Sequence, residues 1–121
     1  MPAEGVVPLA ELRTSPHAHE FEGGPHGSDI SFILVDCPAG AGPALHRHPY
    51  SETFLVLEGD VLFQLGDGER RVSAGCVVVV PANVPHRFIN IGPGRLRQVD
   101  IHASPRFLTE WLAGDGTPSA D

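Results

Sequence analysis

Apolar and polar residues alternate with a period of two over several short stretches of this chain, and only near residue 110 do they follow a helical period. Residues 30–36 read as a strand, and so do 52–58, a run rich in β-branched and aromatic side chains. Residues 61–65 and 70–73 predict a hairpin around Gly66-Asp67-Gly68-Glu69, with Asp-Gly as its turn signal. The apolar run 76–80 predicts a buried strand and makes Cys76 a small core residue. Residues 86–91, a Gly92-Pro93-Gly94 turn and residues 96–103 predict a last hairpin. The first 28 residues are mixed, with room for one or two short strands near 17–22. At the other end Ser104 suits a helix N-cap and Pro105 the first helical position, while Phe107, Leu108, Trp111 and Leu112 form one apolar stripe. A helix over 105–113, packed on the outside of the sheets and followed by a disordered tail over 114–121, is the expectation.

Composition narrows the class. A chain of 121 residues with 41% apolar residues is expected to form one domain with a modest core, here many short strands joined by Gly- and Pro-rich turns. No apolar run approaches the ~20 residues that span a bilayer, and Met1-Pro2-Ala3-Glu4 shows no secretory signal, so a cytoplasmic protein is expected. Fifteen acids against eight basic residues, all of them arginine, give a net charge of −7, which disfavours nucleic acid and anionic membranes as partners. Cys37 and Cys76 follow no zinc or redox spacing and are expected to be reduced.

The candidate chemistry lies in two short patterns. The first is Gly40-x5-His46-x-His48-x3-Glu52-x6-Gly59, and the second is Gly75-x5-Pro81-x-Asn83-x2-His86-x3-Asn90. Residues two apart on a strand share a side, so His46 and His48 present both imidazoles to one point while Arg47 faces away. Pro49 cannot donate to a ladder, which ends that strand and lets another begin near Glu52.

Together the two patterns resemble the signature motifs of the cupin superfamily. The resemblance covers residues 40–90 with one departure, Asn83, where the family has a turn glycine. Asn tolerates the left-handed region better than most residues, so the turn is expected to survive. The resemblance implies an all-β fold, a double-stranded β-helix or jelly-roll barrel spanning 29–104, with residues 1–28 as an N-terminal arm. It also implies that His46, His48, Glu52 and His86 bind one divalent transition metal. Such a donor set suits Fe, Mn, Ni, Zn or Cu. An octahedral ion would leave two positions open, whereas a tetrahedral zinc would be filled and structural. The fifteen residues between the motifs and the single copy of each point to a single-barrel member.

Strand parity extends the site. Phe54 and Val56 share the face of Glu52, and Phe88 that of His86, which predicts an apolar substrate pocket. In Gln98-Val99-Asp100-Ile101-His102 the polar residues alternate strictly with apolar ones. If the polar face turns inward, Asp100 or His102 is a candidate general base, with Gln98 orienting the substrate; a solvated polar face is the competing arrangement. His17 and His19, beside Glu20 and Glu22, form a weaker second candidate site, and His26 is expected in a solvated turn. The functional expectation is a metal-dependent enzyme of dioxygenase type on a small organic molecule. Isomerase, decarboxylase or lyase chemistry, or a non-catalytic binding module, are the alternatives. A homodimer joined through sheet edges and the N-terminal arm is expected, because an unpaired edge invites pairing.

Overall fold

The alternating pattern produces eleven strands in a computed structural model of the chain, which describes residues 5–113. They are β1 (Arg13–Ser15), β2 (Ala18–Phe21), β3 (Ser31–Cys37), β4 (His46–Arg47), β5 (Glu52–Glu58), β6 (Asp60–Leu65), β7 (Gly68–Ser73), β8 (Val77–Val80), β9 (His86–Asn90), β10 (Leu96–His102) and β11 (Glu110–Trp111). All pairings are antiparallel. A six-stranded sheet has the order β1-β2-β3-β10-β5-β8, and a five-stranded sheet the order β11-β4-β9-β6-β7. This is the jelly-roll, double-stranded β-helix architecture. Among the described residues no helix is long and apolar enough to cross a membrane.

The core lies between the sheets. Phe54 from β5 meets Phe63 from β6 edge to face at 4.9 Å, with Phe88 from β9 about 6 Å from both. Val56, Val61 and Leu96 are fully buried around them. Turn chemistry holds the layers apart. Gly59 has φ 98° and a Cβ there would stand 2.5 Å from the Arg95 carbonyl, so only glycine fits. Asn83 is the one non-glycine residue with positive φ among those described, at 66°, and its amide donates to the His48 carbonyl at 2.7 Å. The substitution of asparagine for the motif glycine keeps the turn, as the sequence suggested.

Several expectations need correction. The segment 105–113 is not a helix; it runs extended and ends in β11, paired with β4. Its amphipathic stripe is outweighed by specific backbone bonds: Leu108 N–H donates to the Tyr50 hydroxyl, Leu112 N–H to the Leu45 carbonyl, and Phe107 N–H to Glu22. The tail over 114–121 lies outside the described residues. β9 and β10 are not a hairpin: they belong to different sheets, because the Gly92–Gly94 turn, held by Asn90 through bonds to Gly92 and Gly94, crosses from one layer to the other. The run 76–80 is buried on one side only, with Cys76, Val77 and Val79 exposed. The N-terminal arm contributes β1 and β2 to the six-stranded sheet, with β2 paired to β3 along its whole length.

Candidate metal centre

Four strands or strand ends deliver the motif residues to one place. His46 on β4 lies directly across from His86 on β9, with ring centroids 4.4 Å apart. His48 follows β4, and Glu52 opens β5, across from His102 on β10. One donor atom from each of His46, His48, Glu52 and His86 lies within 4.8 Å of the others, and all four residues are buried. Arg47 points away, into an ion pair with Glu110.

The imidazoles are fixed from behind. Nδ1 of His46 bonds the Ala44 carbonyl at 2.7 Å, Nδ1 of His48 the Leu108 carbonyl at 2.9 Å, and Nδ1 of His86 the Val84 carbonyl at 2.9 Å. A carbonyl only accepts, so each Nδ1 carries the proton and each Nε2 turns a lone pair inward. The Nε2 atoms of His48 and His86 then stand 3.0 and 2.9 Å from Glu52 Oε1. A neutral ring cannot donate from both nitrogens, so lone pairs face a carboxylate at close range. The buried Nε2 of His48 makes no hydrogen bond at all. A divalent cation at the point of convergence resolves this arrangement, and the residues present fit one. Burial lowers the His46 pKa to about 4, which keeps its lone pair free at neutral pH. For Glu52 burial works against ionisation, but the His102 imidazole leads the contributions that outweigh it and hold the carboxyl below its usual range.

The polar face of β10 turns inward. Gln98, Asp100 and His102 are 0%, 3% and 3% exposed. His102 Nε2 stands 3.0 Å from Glu52 Oε2, and its Nδ1 is 2.7 Å from the Tyr50 hydroxyl. Leu108 N–H donates to that hydroxyl, leaving its own proton free for His102. β10 reaches the ligands through its pairing with β5, not as the hairpin mate of β9. Asp100 accepts a 2.8 Å bond from Gln98, yet burial, reinforced by the charge of Glu52, raises its pKa well above the carboxylate range.

A cavity of about 310 Å³ opens beside the donors. His46, His48 and Glu52 form its floor with Asp100 and His102, and Phe88, Phe107, Thr109 and Trp111 form part of its wall. Of the expected pocket residues only Phe88 reaches the wall. Phe54 and Val56 pack in the core, and Gln98 is buried behind Asp100. Sequence reasoning missed Tyr50, Glu20, Phe107, Thr109 and Trp111. Tyr50 was within reach, because His48-x-Tyr50-x-Glu52 continues the alternation of the motif. No lysine or arginine lines the cavity, whereas Glu20, Glu52 and Asp100 do. Among the described residues the His46 cluster is the one potential metal-binding group, and it includes neither His17 nor His19.

Comparison with known proteins agrees with this geometry. The family profile described as Cupin domain matches residues 33–102. A dimethylsulfoniopropionate lyase, DddQ of Ruegeria pomeroyi, is 37% identical over 67 residues, covering 54% of this chain and 33% of the lyase. The chain thus spans about a third of the length of that curated relative. Oxalate decarboxylase from Bacillus subtilis superposes with a TM-score of 0.75 at 22% identity, over 86% of this chain and 30% of that one. A conserved protein with a double-stranded beta-helix domain from Klebsiella pneumoniae gives 0.71 at 20% identity, over 90% and 97%.

Proposed function

We propose that this chain, which belongs to the cupin family, is a mononuclear metal-dependent enzyme acting on a small neutral or cationic organic molecule. One observation carries the reading: His46 and His48, locked through their Nδ1 atoms, line with Glu52 a cavity whose wall is aromatic and acidic and holds no basic side chain. His46, His48, Glu52 and His86 would hold the ion, which when bound supplies Lewis acidity toward a substrate oxygen. Phe88, Phe107 and Trp111 bind the apolar body of the substrate and exclude water. Asp100 and His102 line the cavity as the candidate general bases, and Tyr50 holds a proton at its hydroxyl beside His102 Nδ1. A small dianion such as oxalate would meet no arginine in the cavity wall, so the likeness to oxalate decarboxylase, at 22% identity, is read as fold only.

Oxygenase-type turnover is our first assignment within this class, because an apolar cavity of this size suits phenols, enols and diketones. A second reading, elimination or isomerisation begun by proton transfer, is favoured by the Tyr50–His102 pair beside the ligands and by the likeness to a lyase. The test is metal analysis followed by oxygen uptake on diketones, catechols and flavonols, with dimethylsulfoniopropionate loss measured without oxygen. Stoichiometric metal and turnover in one arm is the expected result. Tightly held zinc without turnover in either arm would instead make the chain a binding module. Full metal content in a variant with all four donors changed to alanine would overturn the site itself.

A further inference from the structure

The floor and the mouth of the cavity come from different parts of the chain. His46, His48, Glu52, Asp100 and His102 all fall within residues 33–102, the segment that matches the family. Glu20, Phe107, Thr109 and Trp111 fall outside it, on the two flanks. Those flanks are tied to each other: Phe107 N–H donates to Glu22 at 3.1 Å, and Gly24 N–H to the Pro105 carbonyl at 2.7 Å. They stand as one wall over the donors, and segments held in this way on a fixed scaffold are where selectivity is built.

Glu20 is the one charged side chain that the flanks bring to the cavity among the described residues. The alternation of β2 turns Ala18 and Glu20 inward, across from Val35 and Ile33. Glu20 is half-buried, and one of its oxygens accepts a 2.8 Å bond from the Thr14 hydroxyl. Among the described residues it takes part in no ion pair. A carboxylate on an aromatic wall, with no cation of its own, suits a cation brought by the ligand. The floor has a different need: Nε2 of His48 and of His102 makes no hydrogen bond, although both residues are only 3% exposed. The ladder sets the distance between the two ends. Glu20 lies level with Asp100, two strands away, and three strands from β5, which carries Glu52. At ~4.8 Å per strand these are roughly 10 and 14 Å. A ligand that meets both ends is therefore elongated.

We infer that Glu20 is a specificity-determining residue, which receives a cationic group at one end of a linear substrate whose other end, an oxygen group, reaches the metal donors. The inference rests on the metal-enzyme reading above and narrows its substrate to a linear zwitterion. Phe107 and Trp111, on the same wall, add aromatic surface that attracts a cation. A ligand of the same length without the charge leaves the Glu20 carboxylate desolvated and unpaired, and is rejected for that reason.

Calorimetric titration of the zinc-loaded chain tests this with 4-aminobutanoate, 5-aminopentanoate and 6-aminohexanoate, each against the unbranched acid of the same length. The best of the three amino acids is expected to bind at least ~10-fold tighter than its parent acid. Fluorescence of Trp111, the one tryptophan of the chain, is expected to change as that ligand saturates. Glu20→Gln, which can still accept the Thr14 bond, is expected to abolish the preference while zinc content and affinity for the parent acid stay unchanged. Glu20→Lys, read also should the first variant fail to fold, is expected to reverse the preference toward glutarate over 5-aminopentanoate, which general damage to the wall does not produce. Glu69→Gln, on the exposed β7, is expected to leave the preference as it was. A chain that takes up no stoichiometric zinc overturns the metal-centre reading and this inference with it. Zinc uptake without preference for any of the amino acids overturns the inference alone. So does a preference that survives both Glu20 variants, or one that Glu69→Gln removes.

Discussion

At one end of the barrel Phe54, Phe63 and Phe88 meet edge to face inside a shell of Val56, Val61 and Leu96; at the other, His46, His48, Glu52 and His86 converge on inward positions. Three strands run through both ends. β5 passes from Glu52 to Phe54 and Val56, β9 from His86 to Phe88, and β10 from His102 and Asp100 through Gln98 to Leu96. On each strand the change from polar to apolar takes a single inward step, and on β10 that step, from Gln98 to Leu96, crosses a shift in register against β5. The aromatic end supplies transfer energy and dispersion, while the polar end buries groups that destabilise the fold unless an ion or a hydrogen bond satisfies them. Stability and chemistry are thus separated along the barrel axis.

The largest expected effect lies at the aromatic end. Phe63→Ala is predicted to cost about 3–5 kcal/mol in a denaturant titration of the metal-loaded chain. A cost near that of a surface substitution would show that the core does not reside there. At the polar end His48→Ala is expected to remove most of the bound metal by elemental analysis while circular dichroism stays that of a folded barrel. If loss of metal also unfolded the chain, the two ends would not be separable.

Asp100→Asn sharpens the contrast with a sign. The buried Asp100 carboxyl binds its proton more tightly in the folded chain than in the unfolded one. Its contribution is therefore fully present below the unfolded pKa of about 3.9 and is lost as pH rises through the raised folded value. In the ion-stripped protein at neutral pH the carboxyl destabilises, so the asparagine variant is expected to melt a few degrees higher near pH 7 and to gain little near pH 4. A gain equal at both pH values would contradict this. Tyr50→Phe removes the partner of His102 Nδ1 and is expected to weaken metal affinity up to ~10-fold, read by chelator competition, with little change in the melting temperature. Smallest of all, Arg47→Ala breaks the half-exposed pair with Glu110 and is expected to cost under about 1 kcal/mol.

Most of the polar end was legible in the sequence, and less of its surroundings. Strand parity puts His46 and His48 on one side, and the resemblance to the cupin motifs supplies Glu52 and His86 as their companions. Parity also raised the inward placement of Gln98, Asp100 and His102 as one of two arrangements. It could not rank residues by depth, so Phe54 and Val56 were assigned to the pocket although they pack below it. Nor could it decide the segment 105–113. A helical stripe there competes with backbone bonds to Tyr50, Leu45 and Glu22, partners that adjoin it only after the sheets have formed. For the same reason the missed wall residues Phe107, Thr109 and Trp111 carry no local signal.

The carbonyl that fixes the His48 ring belongs to Leu108, sixty residues further along the chain. During synthesis His48 leaves the ribosome long before Leu108, and until that segment has emerged the His48 imidazole is free to rotate and to take either tautomer. The ordering of this ligand therefore waits for the segment that leads into β11. An ion that enters the site would therefore meet a fully ordered His48 only once the segment that leads into β11 has docked beside β4.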